Sequence, residues 1–120
     1  MDKEFKDRLV KALRSGEYKQ ARGMLRKDDD CFCCLGVICH LTDPTNWEQP
    51  SEGHKAYCYL FNGRQFVGAL PYSLAILHNM TTFGELPFID RDTRTPVTLA
   101  SLNDDGMPFS QIADLIEYFF

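Results

Sequence analysis

The stretch Leu99-Ala100-Ser101-Leu102-Asn103-Asp104-Asp105-Gly106-Met107-Pro108-Phe109 decides how this chain is read. Leu99 and Leu102 recur at helical spacing behind Thr98, a residue suited to open a helix. Asp104-Asp105-Gly106 then stops it, because Asp favours turns and Gly admits a left-handed backbone. Pro108 starts the next helix, and Ile112, Leu115, Ile116 and Phe119 form its inner stripe. Two short helices joined by a tight turn predict a helical domain.

The same logic extends to the other end of the chain. Asp2 caps a helix in which Phe5, Leu9 and Leu13 repeat every four residues with Val10 beside them, and Gly16 ends it. Residues 15–23 form a connector between Gly16 and Gly23. Met24-Leu25 returns the chain to the core, and residues 26–30 make a charged turn. A buried helix follows over Cys33–Leu41, with Gly36 in its interior. That glycine costs about 1 kcal/mol in helix propensity, so it marks a close helix–helix approach. Residues 44–56 form a loop punctuated by Pro44, Pro50, Ser51 and Gly53, with Trp47 pinning it to the core. Asn62-Gly63 predicts a hairpin between Ala56–Phe61 and Arg64–Val67. Pro71 opens a short helix with Leu74, Ile76 and Leu77 inward, and residues 80–96 are irregular. The expected architecture is α+β and mostly helical, with four to five helices around a small β-hairpin, in one domain over residues 1–120.

Composition sets the outer bounds. The chain has 120 residues, 44% hydrophobic and 25% charged, enough to bury a core without a staple. No apolar run is long enough for a membrane span, and the charged start Met1–Asp7 lacks a signal-peptide core. A cytoplasmic protein with free thiols is expected. Net charge is −4 but uneven: nine Lys/Arg face four Asp/Glu over residues 1–27, and four face thirteen over residues 28–120. The preferred account is a basic helix docked on its own acidic body, ahead of a polyanion-binding segment.

Three groups of residues carry candidate chemistry. Cys31-Phe32-Cys33-Cys34 and Cys39-His40 offer metal-ligand types, but C-x-C, C-C and C-x(4)-C are not the knuckle spacings of structural zinc sites. No metal or cofactor is expected. Cys33 and Cys34 sit where the buried helix begins, and the positive end of a helix dipole lowers a thiol pKa. That makes them candidate nucleophiles, with His54 or His78 as the base, although burial as small apolar residues is the preferred account. Arg14, Lys19, Arg22 and Arg26 flank flexible glycines, a pattern suited to phosphate or nucleotide binding, but no phosphate-loop motif accompanies them. Direct DNA binding is not expected. Leu99 to Ala113 resembles the first part of a helix-turn-helix, yet the helix that follows is acidic and apolar, and no recognition helix comes after it.

Three stretches taken together resemble a family of small accessory proteins encoded by tailed bacteriophages and prophages. They are Leu13-Arg14-Ser15-Gly16-x-Tyr18-Lys19-Gln20-x-Arg22-Gly23-x-Leu25-Arg26, Cys33-Cys34-Leu35-Gly36-Val37-Ile38-Cys39 and Leu99-x-x-Leu102-Asn103-Asp104-x-Gly106-x-x-Phe109-x-x-Ile112-Ala113-Asp114-x-Ile116. Residues 44–96 between them form a variable middle. The resemblance implies the host bacterial cytoplasm and no particular reaction. It implies a binding role, toward a host or phage protein, for instance to inhibit a defence or nucleic-acid enzyme. A nucleotide-sequestering oligomer and a cysteine-dependent enzyme are the alternatives. Tyr118, Phe119 and Phe120 provide aromatics for a homodimer contact.

Overall fold

A computed structural model describes residues 1–49 and 56–120. Its first helix, α1 (Lys3–Arg14), begins where the Asp2 carboxylate accepts the Phe5 amide at 3.0 Å. Phe5, Leu9, Val10 and Leu13 are its buried face, and it packs along the last helix, α5 (Phe109–Phe119). Gly16 then takes φ +77°, a region open to glycine without strain.

The connector and the charged turn are more ordered than their composition predicts. They hold β1 (Lys19–Gln20), β2 (Arg26–Asp28) and β3 (Cys31–Phe32), in the order β1-β3-β2. Strands β1 and β3 run parallel with Lys19 opposite Cys31; β2 returns antiparallel with Arg26 opposite Phe32. Next comes α2 (Cys34–Thr42), whose residues Cys34 to Cys39 are all buried.

Gly36 is required there, but its neighbour is not another helix. A Cβ on Gly36 would lie 1.8 Å from the Leu25 carbonyl oxygen. That same oxygen accepts the Cys33 amide at 3.1 Å, so the loop before β2 is pressed against the first turn of α2.

Strand β4 (Trp47–Glu48) pairs with β5 (Cys58–Phe61), and β5 pairs with β6 (Arg64–Phe66). The expected hairpin is present, with Asn62 at φ 52° and Gly63 at φ 76°, as a two-residue turn of this sequence demands. Pro50, Ser51, Gly53 and His54 lie outside the described residues.

Helix α3 (Tyr72–Leu77) follows, then β7 (Glu85–Ile89) paired antiparallel with β8 (Pro96–Thr98). Helix α4 (Leu99–Asp104) opens with a reciprocal cap, in which Thr98 and Ser101 each bond the other's amide.

Two expectations are corrected. Among the described residues, five helices and eight strands in three small sheets, 39% helical and 21% strand, make a mixed α+β fold and not a mostly helical one. Six of the eight strands lie outside the expected hairpin. They are two to five residues long, too short for a period-two pattern to register, and backbone ladders hold them where side-chain alternation does not. The second correction is on α3. Leu74, Ala75 and His78 face inward, while Ile76 and Leu77 are 57% and 66% exposed.

Candidate functional site

The three resemblance-bearing stretches meet at one side chain. Asn103 is completely buried near the end of α4. Its Oδ1 accepts Gln20 Nε2 at 3.0 Å and the Cys34 amide at 3.1 Å. Its Nδ2 donates to the Ala21 carbonyl at 2.7 Å and to Asp104 Oδ1 at 3.2 Å. All four hydrogen-bonding positions of the amide are filled, as burial requires. Gln20 also donates to the Met107 carbonyl at 2.8 Å, and Asp104 accepts the Gly23 amide at 2.8 Å. Asn103 therefore ties β1, the start of α2 and the turn after α4 together. The sequence marks this residue only as a helix end. The missing signal is long-range: Gln20 lies 83 positions away.

The four basic candidates do not converge. Arg14 bonds Asp114 at 2.6 Å and Glu117 at 2.9 Å, both on α5. Lys19 pairs with Asp30 at 3.3 Å. The basic N-terminal segment thus makes its ion pairs within its own chain. Arg22 makes no ion pair among the described residues; its guanidinium runs beside the turn, 3.1 Å from where a Cβ on Gly106 would stand.

Arg26 is held differently again. Its guanidinium lies over Tyr57 at 4.2 Å, Phe32 at 4.8 Å and Trp47 at 5.3 Å. Its nitrogens donate to the carbonyls of Asp28 and Asp29. The cation is already enclosed by aromatic faces and backbone oxygens, which is a structural use of a guanidinium. Tyr57 closes the arrangement by donating its hydroxyl to Asp29.

His40 borders this aromatic group and accepts Trp47 Nε1–H on its Nδ1 at 3.1 Å. The acceptor role fixes a neutral ring protonated on Nε2. Burial, then the Arg26 cation, hold its pKa below the usual histidine range. His78 is also buried, stacked on Phe5 with centroids 4.0 Å apart. Thr42 spends its hydroxyl proton on the Ile38 carbonyl, so His78 Nε2 is the donor in their 3.0 Å bond. Burial lowers its pKa as well.

Cys33 is the N-cap of α2, and its sulfur accepts the Gly36 amide. Desolvation outweighs that hydrogen bond and pushes the thiol up to about 11. Cys34, fully buried against the Leu99 carbonyl, is raised well above the ordinary value, again by burial. Both groups are neutral thiols at neutral pH and lie away from solvent. His78, engaged with Phe5 and Thr42, is not bonded to either. Among the described residues no group of three or more His, Cys, Asp or Glu is arranged to hold a metal ion.

Two exposed apolar surfaces complete the inventory. One is the outer face of α3, with Tyr72 at 71% exposure beside Ile76 and Leu77. The other joins Phe88 on β7 to Phe119, and Phe119 to Tyr118, at the end of α5. No helix among the described residues is long and apolar enough to cross a membrane.

These features define a mixed α+β domain organised on a buried asparagine, with two exposed apolar surfaces among the described residues. The chain belongs to a family described as a domain of unknown function, DUF8296, whose model matches residues 1–120. No curated protein and no solved structure matches it.

Proposed function

We propose that this protein is a phage-type accessory factor that works by binding another protein, of the host or of the phage, in the bacterial cytoplasm. The observation that carries this reading is the outer face of α3. Tyr72 and Ile76 are one helical turn apart, Leu77 stands about 100° further round the helix, and all three are more than half exposed. Helices normally turn such residues inward; an apolar cluster left in water marks a contact surface. This face lies within residues 44–96, which the resemblance to phage accessory proteins makes a variable middle, where a partner-specific surface is expected to differ between relatives. Enzymatic readings draw less support, since Cys33 and Cys34 are buried and neutral. Nucleotide sequestration draws less too, since Arg14, Lys19 and Arg26 are each engaged within the chain.

The test is affinity capture from bacterial lysate, with and without phage infection, using the whole chain. One reproducible protein is expected with the native chain and is lost with Tyr72→Asp combined with Leu77→Asp. Both positions are exposed, so the variant keeps the native melting curve. Failure to capture any protein, or capture that survives the double substitution, overturns the reading.

A further inference from the structure

Trp47, the only tryptophan in the chain, sits on the outer strand of its sheet and bonds a group that can take up a proton. Its Nε1–H donates to His40 Nδ1 at 3.1 Å, tying β4 to the last turn of α2. An indole nitrogen can only donate, so the bond requires a neutral imidazole with a free lone pair on Nδ1. In the imidazolium both ring nitrogens carry protons, and one N–H would point at another. His78 behaves in the opposite way. Its Nε2 already donates to the Thr42 hydroxyl, so that bond survives protonation. Of the two described histidines, only His40 loses a bond when it gains a proton.

The surroundings of His40 leave it poised. Among the described residues, the titratable or charged groups that face the ring are Glu17 and Tyr18 from the connector and Arg26 from β2. Burial and Arg26 disfavour the imidazolium, while Glu17 favours it. The negative end of the α2 dipole, where His40 sits, favours it too. Tyr18 lies edge-on at 5.9 Å and keeps its proton, because burial raises its pKa. The His40 ring is only partly buried, so solvent protons reach it.

The indole can leave without dismantling its strand. Trp47 is itself only partly buried, and β4 is held by backbone: Trp47 is in register with Tyr59, and the Asn46 carbonyl accepts the Leu60 amide at 2.8 Å. Those bonds do not involve the Trp47 side chain. Arg26 keeps its places over Tyr57 and Phe32 and its bonds to the Asp28 and Asp29 carbonyls. We propose that His40 and Trp47 form a proton-operated latch: a proton taken from solvent at His40 Nδ1 breaks the bond, and the indole swings off α2 and Arg26 while the rest of the fold stays in place. The open form presents an aromatic side chain and one uncovered face of the Arg26 guanidinium. It stands apart from the α3 surface and from any partner bound there.

The experiment uses Trp47 as its own probe. Emission maximum and acrylamide quenching of the full chain are followed as pH is lowered from 7, with far-ultraviolet circular dichroism beside them. A one-proton transition is expected, centred below the ordinary histidine value of about 6.5, with emission shifting to the red, quenching rising and circular dichroism unchanged. Quenching by added acrylamide separates release of the indole from mere contact with an imidazolium. Proton NMR of the native chain should place the His40 midpoint at that of the fluorescence change. His40→Gln, whose side chain can accept the indole N–H without titrating, abolishes the transition. Replacing the other two histidines, His54→Gln with His78→Gln, leaves it. Trp47→Phe removes the bond that favours the neutral ring and so raises the His40 midpoint toward the ordinary value. Quenching that stays flat through the His40 midpoint overturns the latch. So does a change that appears only as circular dichroism is lost, or one that persists in a folded His40→Gln chain. If that variant does not fold, the native chain still decides: His40 and Trp47 midpoints that differ overturn the proposal.

Discussion

Replacing Asn103 by alanine is the sharpest test of how this fold is held together. The side chain serves four partners, but deleting it does not orphan all four. Gln20 keeps its bond to the Met107 carbonyl, and Asp104 keeps the Gly23 amide. The Cys34 amide and the Ala21 carbonyl have no such reserve. Both belong to buried residues, Cys34 with no exposure and Ala21 with 3%. A buried polar group left unpaired costs about 1–3 kcal/mol, so two of them give roughly 2–6 kcal/mol, centred near 4. Against a total stability of about 5–15 kcal/mol for a domain, that is a large fraction. It corresponds to a melting temperature lower by roughly 8–24 °C for a chain of this size, at about 4 °C per kcal/mol. Gln20→Ala provides the contrast. It removes one donor from Asn103 Oδ1, which still accepts the Cys34 amide, and it frees the carbonyl of Met107, a partly buried residue. Its cost should be about 1 kcal/mol. Thermal and urea denaturation of both variants measure the difference. A melting point for Asn103→Ala within about 3 °C of the native protein refutes the reasoning. So does a Gln20→Ala penalty as large as that of Asn103→Ala.

Three further outcomes are expected. Gly36→Ala places a methyl group 1.8 Å from a backbone oxygen, where no side chain can rotate away; the cost should exceed about 4 kcal/mol and yield insoluble or unfolded protein, and a folded, native-like variant counts against the close approach. Stability should fall as pH drops from 7 to 5. His40 and His78 have folded-state pKa values depressed mainly by burial, so the unfolded chain takes up protons first, and the stability present above the usual histidine value is lost as pH falls through the folded ones. Calorimetry at the two pH values should give a flatter dependence for His40→Phe, whereas an unchanged slope removes His40 from the account. Finally, brief thiol alkylation of the native protein should label the partly exposed Cys31 and Cys58 ahead of Cys33, Cys34 and Cys39; peptide mapping that finds Cys33 or Cys34 modified at the denatured rate restores the nucleophile reading.

What could be read in the sequence followed one rule: signals carried by neighbours in the chain were legible. Asp2, three residues before Phe5, caps α1, and Thr98 with Ser101 caps α4. Asn62-Gly63 demands a hairpin and obtains one. The same local reading failed where an element is shorter than the period that identifies it. In α3, six residues long, Tyr72-Ser73-Leu74-Ala75-Ile76-Leu77 is nearly apolar all round, so periodicity cannot select a face. The bulk of Ile76 and Leu77 pointed inward, yet the fold turns the small Ala75 and the hydrogen-bonded His78 to the core. Strands β1 and β3 pair in parallel through only two residues each, one of them a lysine, and no alternation exists to be seen.

The candidate chemistry failed to assemble for a related reason. Cys33 does sit at a helix N-terminus, which lowers a thiol pKa, but that effect is local and modest. Burial is set by the whole core and has the opposite sign, and at 5% exposure it prevails. Arg14, Lys19, Arg22 and Arg26 cluster in the sequence, yet two short strands and a turn send them to α5, to Asp30, to Gly106 and into an aromatic enclosure. The co-occurring stretches at Tyr18–Gly23, Cys33–Cys39 and Leu99–Gly106 have a physical basis that involves no reaction. They are the three strands of one hydrogen-bond knot around Asn103, in which Gln20, Cys34 and Gly23 are each satisfied by that asparagine or its neighbour Asp104. A substitution in any one stretch leaves polar groups of another unpaired, which ties the three together through stability. The knot in turn holds in place the elements that carry the exposed apolar residues: the outer face of α3 and the aromatic end of α5.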